Sequence, residues 1–360
     1  MKLTPVLKKA KESLVGYSKF EGGDPSYVTG YKEIAGRFVP LVSKRLTAKD
    51  HIGDWAVRWD IFRDDYKVTP GLYAVGDPSP ASPLLVTANY KLTFDKLRQE
   101  LDGIDAWLVV LDTKGVNVWC AAGKGTFGTS ELLEKTARLR LSDIVSHKTL
   151  ILPQLGAPGV SGPEIARVSS FRVVWGPVRA ADIAAFLASG MKKTDAMRRV
   201  EFRLADRMAV APVELSHAWP FAIGALALSF FGALPLGPLF AQRFIGLLVA
   251  TIGSILVGTL AFPALLPFLP TRAFSVKGAV LGAAWGLACA IIGGMGFAMG
   301  AAVVLASAAL ASFIGLNFTG SSTFTSQPGA NLELEKSIVP IIASLGSGIA
   351  LGACARIFGL

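Results

Sequence analysis

The most constraining feature of the sequence is a series of apolar segments that runs from Ala218 to the end of the chain. A helix needs about 20 apolar residues to cross the hydrocarbon core of a bilayer. Five stretches meet this requirement, at about 218–240, 244–268, 277–296, 298–317 and 337–357. Five such runs in succession are not typical of buried helices in a soluble protein. The sequence therefore predicts an all-α transmembrane domain of five helices over residues 211–360.

Charged residues are concentrated before these segments. Of 36 Lys and Arg residues and 26 Asp and Glu residues, only five basic and two acidic ones lie beyond Ala218. This asymmetry predicts one soluble domain joined to one membrane domain. The net charge of +10 suits contact with anionic lipid or with an acidic partner. No nucleic-acid-binding motif accompanies the charge, so we expect no nucleic-acid partner.

The basic residues also predict an orientation in the membrane. Cytoplasmic loops near helix ends carry an excess of Lys and Arg. Seven residues would share one side of the membrane: Arg198, Arg199, Arg203, Arg207, Arg272, Lys277 and Lys336. Arg243 and Arg356 would lie on the other side. Because the N-terminus also lacks the apolar core of a signal peptide, we expect a multi-pass protein of the inner (cytoplasmic) membrane whose N-terminal domain is cytoplasmic.

Before the membrane segments, apolar runs of strand length alternate with helical patterns. Expected strands are 72–76, 83–88, 106–112, 149–154 and 171–176, and expected helices are 95–103, 130–139 and 180–189. Such alternation predicts a Rossmann-like α/β domain over residues 51–210 with a largely parallel sheet, whose ligand lies beyond the carboxyl ends of the strands. Residues 1–50 are polar and irregular, which is typical of an N-terminal arm.

The segment NVWCAAGKGTFG, residues 117–128, follows the third expected strand and satisfies two patterns. Gly123, Gly125 and Gly128 fit the G-x-G-x-x-G of a dinucleotide-binding loop. That fingerprint requires a strand directly before its first glycine. Here the strand ends eleven residues earlier, and a second candidate element intervenes. The dinucleotide interpretation is therefore weakly supported.

The same segment also reads as a short capped helix. Asn117 would cap a helix over residues 118–124, and Cys120 would lie in its first turn, where exposed N–H groups favour an anion such as a thiolate. A thiolate binds metals, and the small residues Ala121, Ala122 and Gly123 would let a large flat ligand approach. A buried core cysteine explains the residue equally well on chemical grounds.

A family resemblance favours the interpretation of Cys120 as a metal ligand. The eight residues from Asn117 to Lys124 match every position of the cap-helix motif of the mercury-methylating corrinoid proteins, the HgcA family. The large subunit of corrinoid iron–sulfur proteins carries a similar segment. VTANYKLTFDKLR (86–98) and PQLGAPGVSGPEI (153–165) also resemble corrinoid-domain segments of both families.

Composition separates the two resemblances. The iron–sulfur relative carries a four-cysteine cluster module and a barrel, and it is soluble. This chain has no cysteine before Cys120, has no room for a barrel, and ends in five predicted membrane helices. A corrinoid domain followed by membrane helices resembles the mercury-methylating family from about residue 50 onward.

The resemblance implies a corrinoid-dependent methyltransferase that moves a cobalt-bound methyl group to Hg(II) and forms methylmercury. The alternative is a membrane-tethered corrinoid methyl carrier of one-carbon metabolism, as in the acetyl-CoA pathway. Cys120 would be the catalytic residue and the lower axial ligand of cobalt, and the corrinoid would lie between the cap helix and the loops at the sheet end. The expected corrinoid contacts are Thr87, Asn117, Val118, Trp119, Cys120, Ala121, Ala122, Gly123, Lys124, Thr126, Phe127, Gly156, Ala157 and Pro158.

The resemblance also implies partners. Cobalt must be reduced between turnovers, and the chain encodes no redox centre of its own. A ferredoxin-like protein with two four-iron clusters would supply the electrons, and a donor from the folate one-carbon pathway would supply the methyl group.

Overall fold

The computed structural model describes residues 16, 19–20, 23–319 and 327–359. The chain divides into two compact units, one formed by Met1–Val57 with Ile61–Val200 and the other by Arg58–Asp60 with Glu201–Leu360. The first unit combines strands and helices, whereas the second is helical. The cysteine motif lies in the α/β unit, and the apolar segments lie in the helical unit.

A seven-stranded sheet forms the centre of the α/β unit, in the spatial order β1-β2-β3-β5-β4-β6-β7. The strands are β1 (Val28–Ile34), β2 (Arg37–Val42), β3 (Gly71–Val75), β4 (Leu84–Ala88), β5 (Ala106–Leu111), β6 (Thr149–Leu152) and β7 (Arg172–Trp175). The five strands predicted from the sequence are confirmed as β3 to β7.

The sheet is largely parallel, as predicted, but not wholly so. Four of its six strand pairings are parallel, namely β2 with β3, β4 with β5, β4 with β6 and β6 with β7. However, β3 runs antiparallel to β5, and β1 runs antiparallel to β2. All of β3, β4 and β5 are buried, so their apolar runs carry no signal of strand direction. The parallel prediction holds for the part of the sheet that follows β3.

The hairpin formed by β1 and β2 lies where the sequence predicts an irregular arm. Ala35 and Gly36 close it with φ angles of 49° and 70°, as a two-residue hairpin turn requires. Only β2 contributes fully buried side chains, among them Val39 and Val42, whereas β1 is partly exposed along its length. The polar composition of this edge strand explains why its sequence resembles a loop.

Helices cover both faces of the sheet. They are α1 (Ala48–Ala56), α2 (Lys91–Gln99), α3 (Val118–Lys124), α4 (Thr129–Arg138), α5 (Gly162–Val168) and α6 (Ile183–Ala188). Leu72 and Ala74 of β3 belong to one apolar core, together with residues of α3, α4 and α5. Tyr73 and Val75 belong to a second core on the other face, together with residues of α2 and α6. This period-two division is the pattern of a strand that is buried on both sides.

The order of the parallel strands changes direction at β4. The chain passes from β4 through α2 to β5 on one side, whereas β6 lies on the other side of β4. Loops that leave neighbouring strands in opposite directions open a crevice at the carboxyl ends, where ligands of α/β sheets usually bind. The segment 112–128 leaves β5 at this edge, and the segment 153–161 leaves β6.

The helical unit contains α7 (Leu204–Met208), α8 (Ala211–His217), α9 (Trp219–Ala233), α10 (Phe240–Leu256), α11 (Phe262–Leu265), α12 (Phe274–Ile292), α13 (Phe297–Asn317) and α14 (Gln327–Phe358). Among the described residues, four helical stretches are long and apolar enough to cross a membrane: Phe240–Leu265, Phe274–Ile292, Phe297–Asn317 and Gly329–Phe358. A fifth candidate is the pair Leu204–His217 and Trp219–Ala233, which is bent by 56°. The first predicted span, 218–240, falls on the second helix of this pair, which ends at Ala233 shortly before Pro235.

Small residues pack closely between α12 and α13. Cβ atoms added to Gly278, Gly282 and Gly286 would all collide with α13; at Gly286 they would lie 2.9 Å from the Cβ of Ser307 and from the Cα of Val304. Glycine at every fourth position therefore lets the two helix backbones approach closely. The polar stretch 317–336 is partly helical, because α14 begins at Gln327; residues 320–326 lie outside the described residues.

Candidate functional site

The cysteine motif forms the short helix α3 that the sequence predicts. The side-chain oxygen of Asn117 accepts a hydrogen bond of 2.9 Å from the backbone N–H of Cys120, as an N-cap does. The helix ends at Gly125, whose φ of 79° is readily adopted by glycine. Cys120 is thereby fixed in the first turn of a helix that follows β5 at the carboxyl edge of the sheet.

The two faces of α3 differ in exposure. Val118, Ala121 and Ala122 are buried in the core, whereas Cys120, Gly123 and Lys124 are exposed. A Cβ added to Gly123 would meet no atom within 4 Å. The open face therefore carries a thiol, an ammonium group and a bare stretch of backbone.

The buried face of α3 packs closely against the segment that follows β6. A Cβ added to Gly159 would lie 2.9 Å from the Cα of Ala122, and one added to Gly156 would lie 2.5 Å from the ring of Phe127. The backbone N–H of Thr129 donates to the carbonyl of Gly159 at 3.2 Å. The position of a corrinoid between the cap helix and these loops, as the resemblance implies, stays a prediction. The accessible side of the helix is the one that carries Cys120.

The expected contact residues consequently separate into two groups. Thr87, Val118, Ala121, Ala122, Phe127 and Gly156 are buried, while Asn117, Trp119, Thr126 and Ala157 are partly exposed and Cys120, Gly123, Lys124 and Pro158 are exposed. Thr126 and Phe127 both donate backbone hydrogen bonds to the carbonyl of Ala121, at 3.0 and 3.1 Å. The buried residues pack α3 against the core, and the exposed residues are accessible to solvent.

Asn89 is a positioning residue that the sequence analysis does not single out. Its side-chain oxygen accepts hydrogen bonds from the N–H and hydroxyl of Thr113 and from the N–H of Gly115, at 3.1, 2.9 and 3.0 Å. Its amide nitrogen donates to Asp112 at 3.3 Å. Buried Asn89 thus joins the loop after β4 to the loop that leads into α3. An asparagine directly after an apolar strand is a weak sequence signal for such a role.

The three glycines Gly123, Gly125 and Gly128 do not lie in the strand-to-helix turn that a dinucleotide-binding loop requires. Gly123 lies inside α3, and Gly128 directly precedes α4, so the three glycines connect two helices. The fingerprint requires a turn between a strand and a helix. These glycines instead shape the connection between α3 and α4.

The described part of the chain offers no metal site built from protein ligands alone. It contains no group of three or more His, Cys, Asp and Glu side chains that could hold a metal ion. His147 contacts the carbonyl of Ser82 at 2.9 Å, and His217 contacts Asp60 at 2.8 Å. A metal bound by Cys120 would therefore take most of its ligands from a cofactor.

Part of the α/β unit is similar to subunits of acetyl-CoA decarbonylase/synthase complexes. Residues 57–185 match the family described as CO dehydrogenase/acetyl-CoA synthase delta subunit. The acetyl-CoA decarbonylase/synthase complex subunit gamma of Archaeoglobus fulgidus is 34% identical over 106 residues, which is 28% of this chain and 23% of the relative. For the Methanopyrus kandleri subunit gamma the identity is 33% over 127 residues, 35% of this chain and 27% of the relative.

The chain spans only about a quarter of the length of these curated relatives. The matches agree with the expected relation to the large subunit of corrinoid iron–sulfur proteins. The resemblance to the mercury-methylating family stays a prediction from the sequence.

Proposed function

We propose that this chain is a membrane-anchored corrinoid methyl carrier of one-carbon metabolism. The observation that carries the proposal is the exposed thiol of Cys120, held by the Asn117 cap on a helix within the segment that matches the acetyl-CoA complex subunits. The helical unit would anchor the carrier in the membrane.

The surroundings of Cys120 fit a corrinoid. Within the described residues Cys120 belongs to no cluster of three or more metal-binding side chains, which suits a metal that takes its other ligands from a macrocycle. The bare backbone at Gly123 leaves room for a flat ring against the exposed face of α3. When bound, the corrinoid supplies a cobalt centre that accepts and releases a methyl group.

The protein residues would hold and orient this cofactor. The sulfur of Cys120 would be a protein ligand of the cobalt, and Asn117 would hold the cysteine in place by capping the helix. Lys124, Thr126, Ala157 and Pro158 would contact the ring edge and its amide arms, with Trp119 beside them. The buried residues would hold the helix against the core rather than contact the ring. They are Thr87, Val118, Ala121, Ala122, Phe127 and Gly156.

The proposed cycle requires protein partners. This chain has three cysteines in total, which is fewer than one four-iron cluster needs, so electrons for cobalt would come from outside. A ferredoxin-like protein with two four-iron clusters would supply them, and the folate one-carbon pathway would supply the methyl group. Two relatives are named as subunits of a complex, which supports docking to further subunits.

Corrinoid loading and methyl transfer test the proposal. Full-length protein reconstituted with a corrinoid should retain it through gel filtration and should accept a methyl group from methyltetrahydrofolate in the presence of the cognate methyltransferase. Cys120→Ala should lower the transfer rate by at least tenfold. Cys354→Ala is the matched control, because it removes another exposed thiol in the helical unit. Wild-type transfer by Cys120→Ala would refute the role of the cysteine.

Methylation of Hg(II) is the second candidate function. It is favoured by the combination of the eight-residue motif at Asn117–Lys124 with a helical unit of four or five candidate membrane helices. A thiolate donor would favour release of the methyl group with its electrons to a soft electrophile. Deletion of the gene in its native host distinguishes the two functions, because loss of methylmercury formation supports this candidate and unchanged formation excludes it.

A further inference from the structure

A cleft in the helical unit combines an apolar interior with a positively charged end. It has a volume of about 330 Å³, in the range of small-molecule sites, and lies among α9, α10, α13 and α14. Its wall is mostly aliphatic and aromatic. The polar residues that line it are Ser229, Thr251, Ser307 and Arg356.

One face of α14 borders the cleft. Gly348, Gly352 and Arg356 follow one another at intervals of four residues and line it together. A Cβ added to Gly348 would lie 3.0 Å from the carbonyl oxygen of Ala302, so α14 and α13 nearly touch there. At Gly352 the contact is looser, because an added Cβ would lie 3.5 Å from the Cβ of Ala302 and 4.0 Å from the sulfur of Met299. The tightest approach of the two helices is thus at Gly348, and Gly352 and Arg356 follow it along the cleft.

Two arginines near this end have no carboxylate partner among the residues that the structure describes. Nε of Arg356 donates to the carbonyl of Gly232 at 3.1 Å, which fixes the guanidinium at the end of α9. Arg243, four residues into α10, is close enough to act electrostatically on Arg356. Neither arginine forms an ion pair with any residue in the part of the chain that the structure describes. Two neighbouring positive charges beside an apolar cleft favour a bound anion.

We propose that this cleft binds an anionic phospholipid, with its phosphate on Arg356 and Arg243 and one acyl chain between α13 and α14. The guanidinium of Arg356 keeps N–H donors beyond the one used by Gly232, and such donors match phosphate oxygens. Both arginines are near helix ends, where phospholipid headgroups lie in a bilayer. The cleft between Gly352 and Ala306 provides the apolar surface for the chain. The proposal concerns the helical unit and does not depend on the corrinoid assignment.

Native mass spectrometry of the full chain in detergent tests this site. With equal amounts of dioleoyl phosphatidylglycerol and dioleoyl phosphatidylcholine, wild-type protein should retain the anionic lipid on the order of tenfold more. The double variant Arg243→Gln/Arg356→Gln should lose this preference. Arg272→Gln, which removes an exposed arginine that does not line the cleft, should keep it. Equal retention of both lipids by the wild-type protein would overturn the proposal.

A second variant separates a lipid from a free anion. Ala306→Phe would fill the cleft and leave both arginines in place, so it should reduce retention of phosphatidylglycerol at least fivefold. Inorganic phosphate should not compete at millimolar concentration. Undiminished lipid retention by Ala306→Phe, or displacement of the lipid by phosphate, would show that the acyl chain does not occupy the cleft. If a variant fails to fold, the comparison of the two lipids on the wild-type protein still tests the proposal.

Discussion

At the scale of single residues, Asn89 shows how the candidate site depends on a side chain remote from the cysteine. It is buried, and its amide group satisfies donors of Thr113 and Gly115 while it donates to Asp112. Without it, the N–H of Gly115 would lose its acceptor, and Thr113 would keep only its hydrogen bonds to the carbonyls of Leu111 and Val116. The position of Cys120 thus depends on hydrogen bonds that Asn89 makes with Thr113 and Gly115, in the loop before α3.

We expect Asn89→Ala to destabilise the α/β unit by about 1–3 kcal/mol, because the N–H of Gly115 loses its acceptor and the hydrogen bond to Asp112 is lost. Hydrogen exchange should accelerate at the amides of Thr113 and Gly115 before it does so elsewhere in the unit. Asn331→Ala, at an exposed position of α14, is the control and should change neither quantity. Unchanged exchange at both amides would contradict the role assigned to Asn89.

Asp50 is a second residue whose contribution is measurable, because it is a buried carboxylate with two cationic partners. Nζ of Lys91 lies 2.5 Å from Oδ1 of Asp50, and Nη2 of Arg98 lies 2.9 Å from its Oδ2. Burial opposes ionisation, but hydrogen bonds from Lys91 and Thr47 outweigh it and hold the pKa of Asp50 well below its usual range. These contacts tie α1 to α2.

The lowered pKa fixes the sign of a pH effect. The stabilisation by ionised Asp50 is fully present above the ordinary carboxyl pKa of about 4 and is lost as the pH falls through the lowered pKa. Asp50→Asn should therefore cost about 3 kcal/mol or more at pH 7 and progressively less below about pH 4. Denaturant unfolding at several pH values measures this. Asp77→Asn, which removes an exposed partner of Lys32, should change stability by less than about 0.5 kcal/mol.

At the scale of elements, α3 has one face that tolerates new atoms and one that does not. A Cβ added to Gly123 in α3 would meet no atom within 4 Å. One added to Gly156, in the segment after β6, would lie 2.5 Å from the ring of buried Phe127, which follows α3. Substitutions at these two glycines can therefore separate an effect on ligand binding from an effect on the packing of the helix.

We expect Gly123→Leu to preserve the fold of the corrinoid-free protein and to reduce corrinoid retention at least tenfold, because its side chain would occupy the surface beside Cys120. Gly156→Ala should instead lower stability by about 1–3 kcal/mol, since the ring of Phe127 cannot move without disturbing the core. Thermal unfolding and corrinoid titration separate the two effects. Normal corrinoid binding by Gly123→Leu would contradict a ring against this face.

Sequence patterns predict elements best where burial is uniform. The strands β3 to β7 and the capped helix α3 follow from apolar runs and from Asn117, and the structure confirms them. The β1–β2 hairpin is missed because an edge strand carries polar residues. The direction of β3 and the exposed side of α3 depend on contacts distant in sequence, which local patterns do not encode.

At the scale of the whole molecule, the number of membrane crossings determines on which side of the membrane the C-terminus lies. The described helices give four candidate spans, or five if the bent pair crosses as one. An even number returns the C-terminus to the side of the α/β unit, and an odd number places it opposite. The bend of 56° at Ala218 is thus the feature on which the topology depends.

With five crossings and a cytoplasmic α/β unit, as the sequence predicts, the C-terminus lies outside the cytoplasm. An alkaline phosphatase fusion after Leu360 should then be active, and a fluorescent-protein fusion at the same point should be dark. Fusions at the N-terminus should give the opposite pattern. An inactive phosphatase with a bright C-terminal fluorescent protein would instead indicate four crossings.

The central claim is that the sulfur of Cys120 binds the cobalt of a corrinoid, and X-ray absorption at the cobalt edge measures this bond directly. Corrinoid-loaded wild-type protein should show one sulfur atom in the first shell of cobalt, and Cys354→Ala should show the same. Cys120→Ala should show only nitrogen or oxygen neighbours. A first shell without sulfur in the wild-type protein would contradict the account.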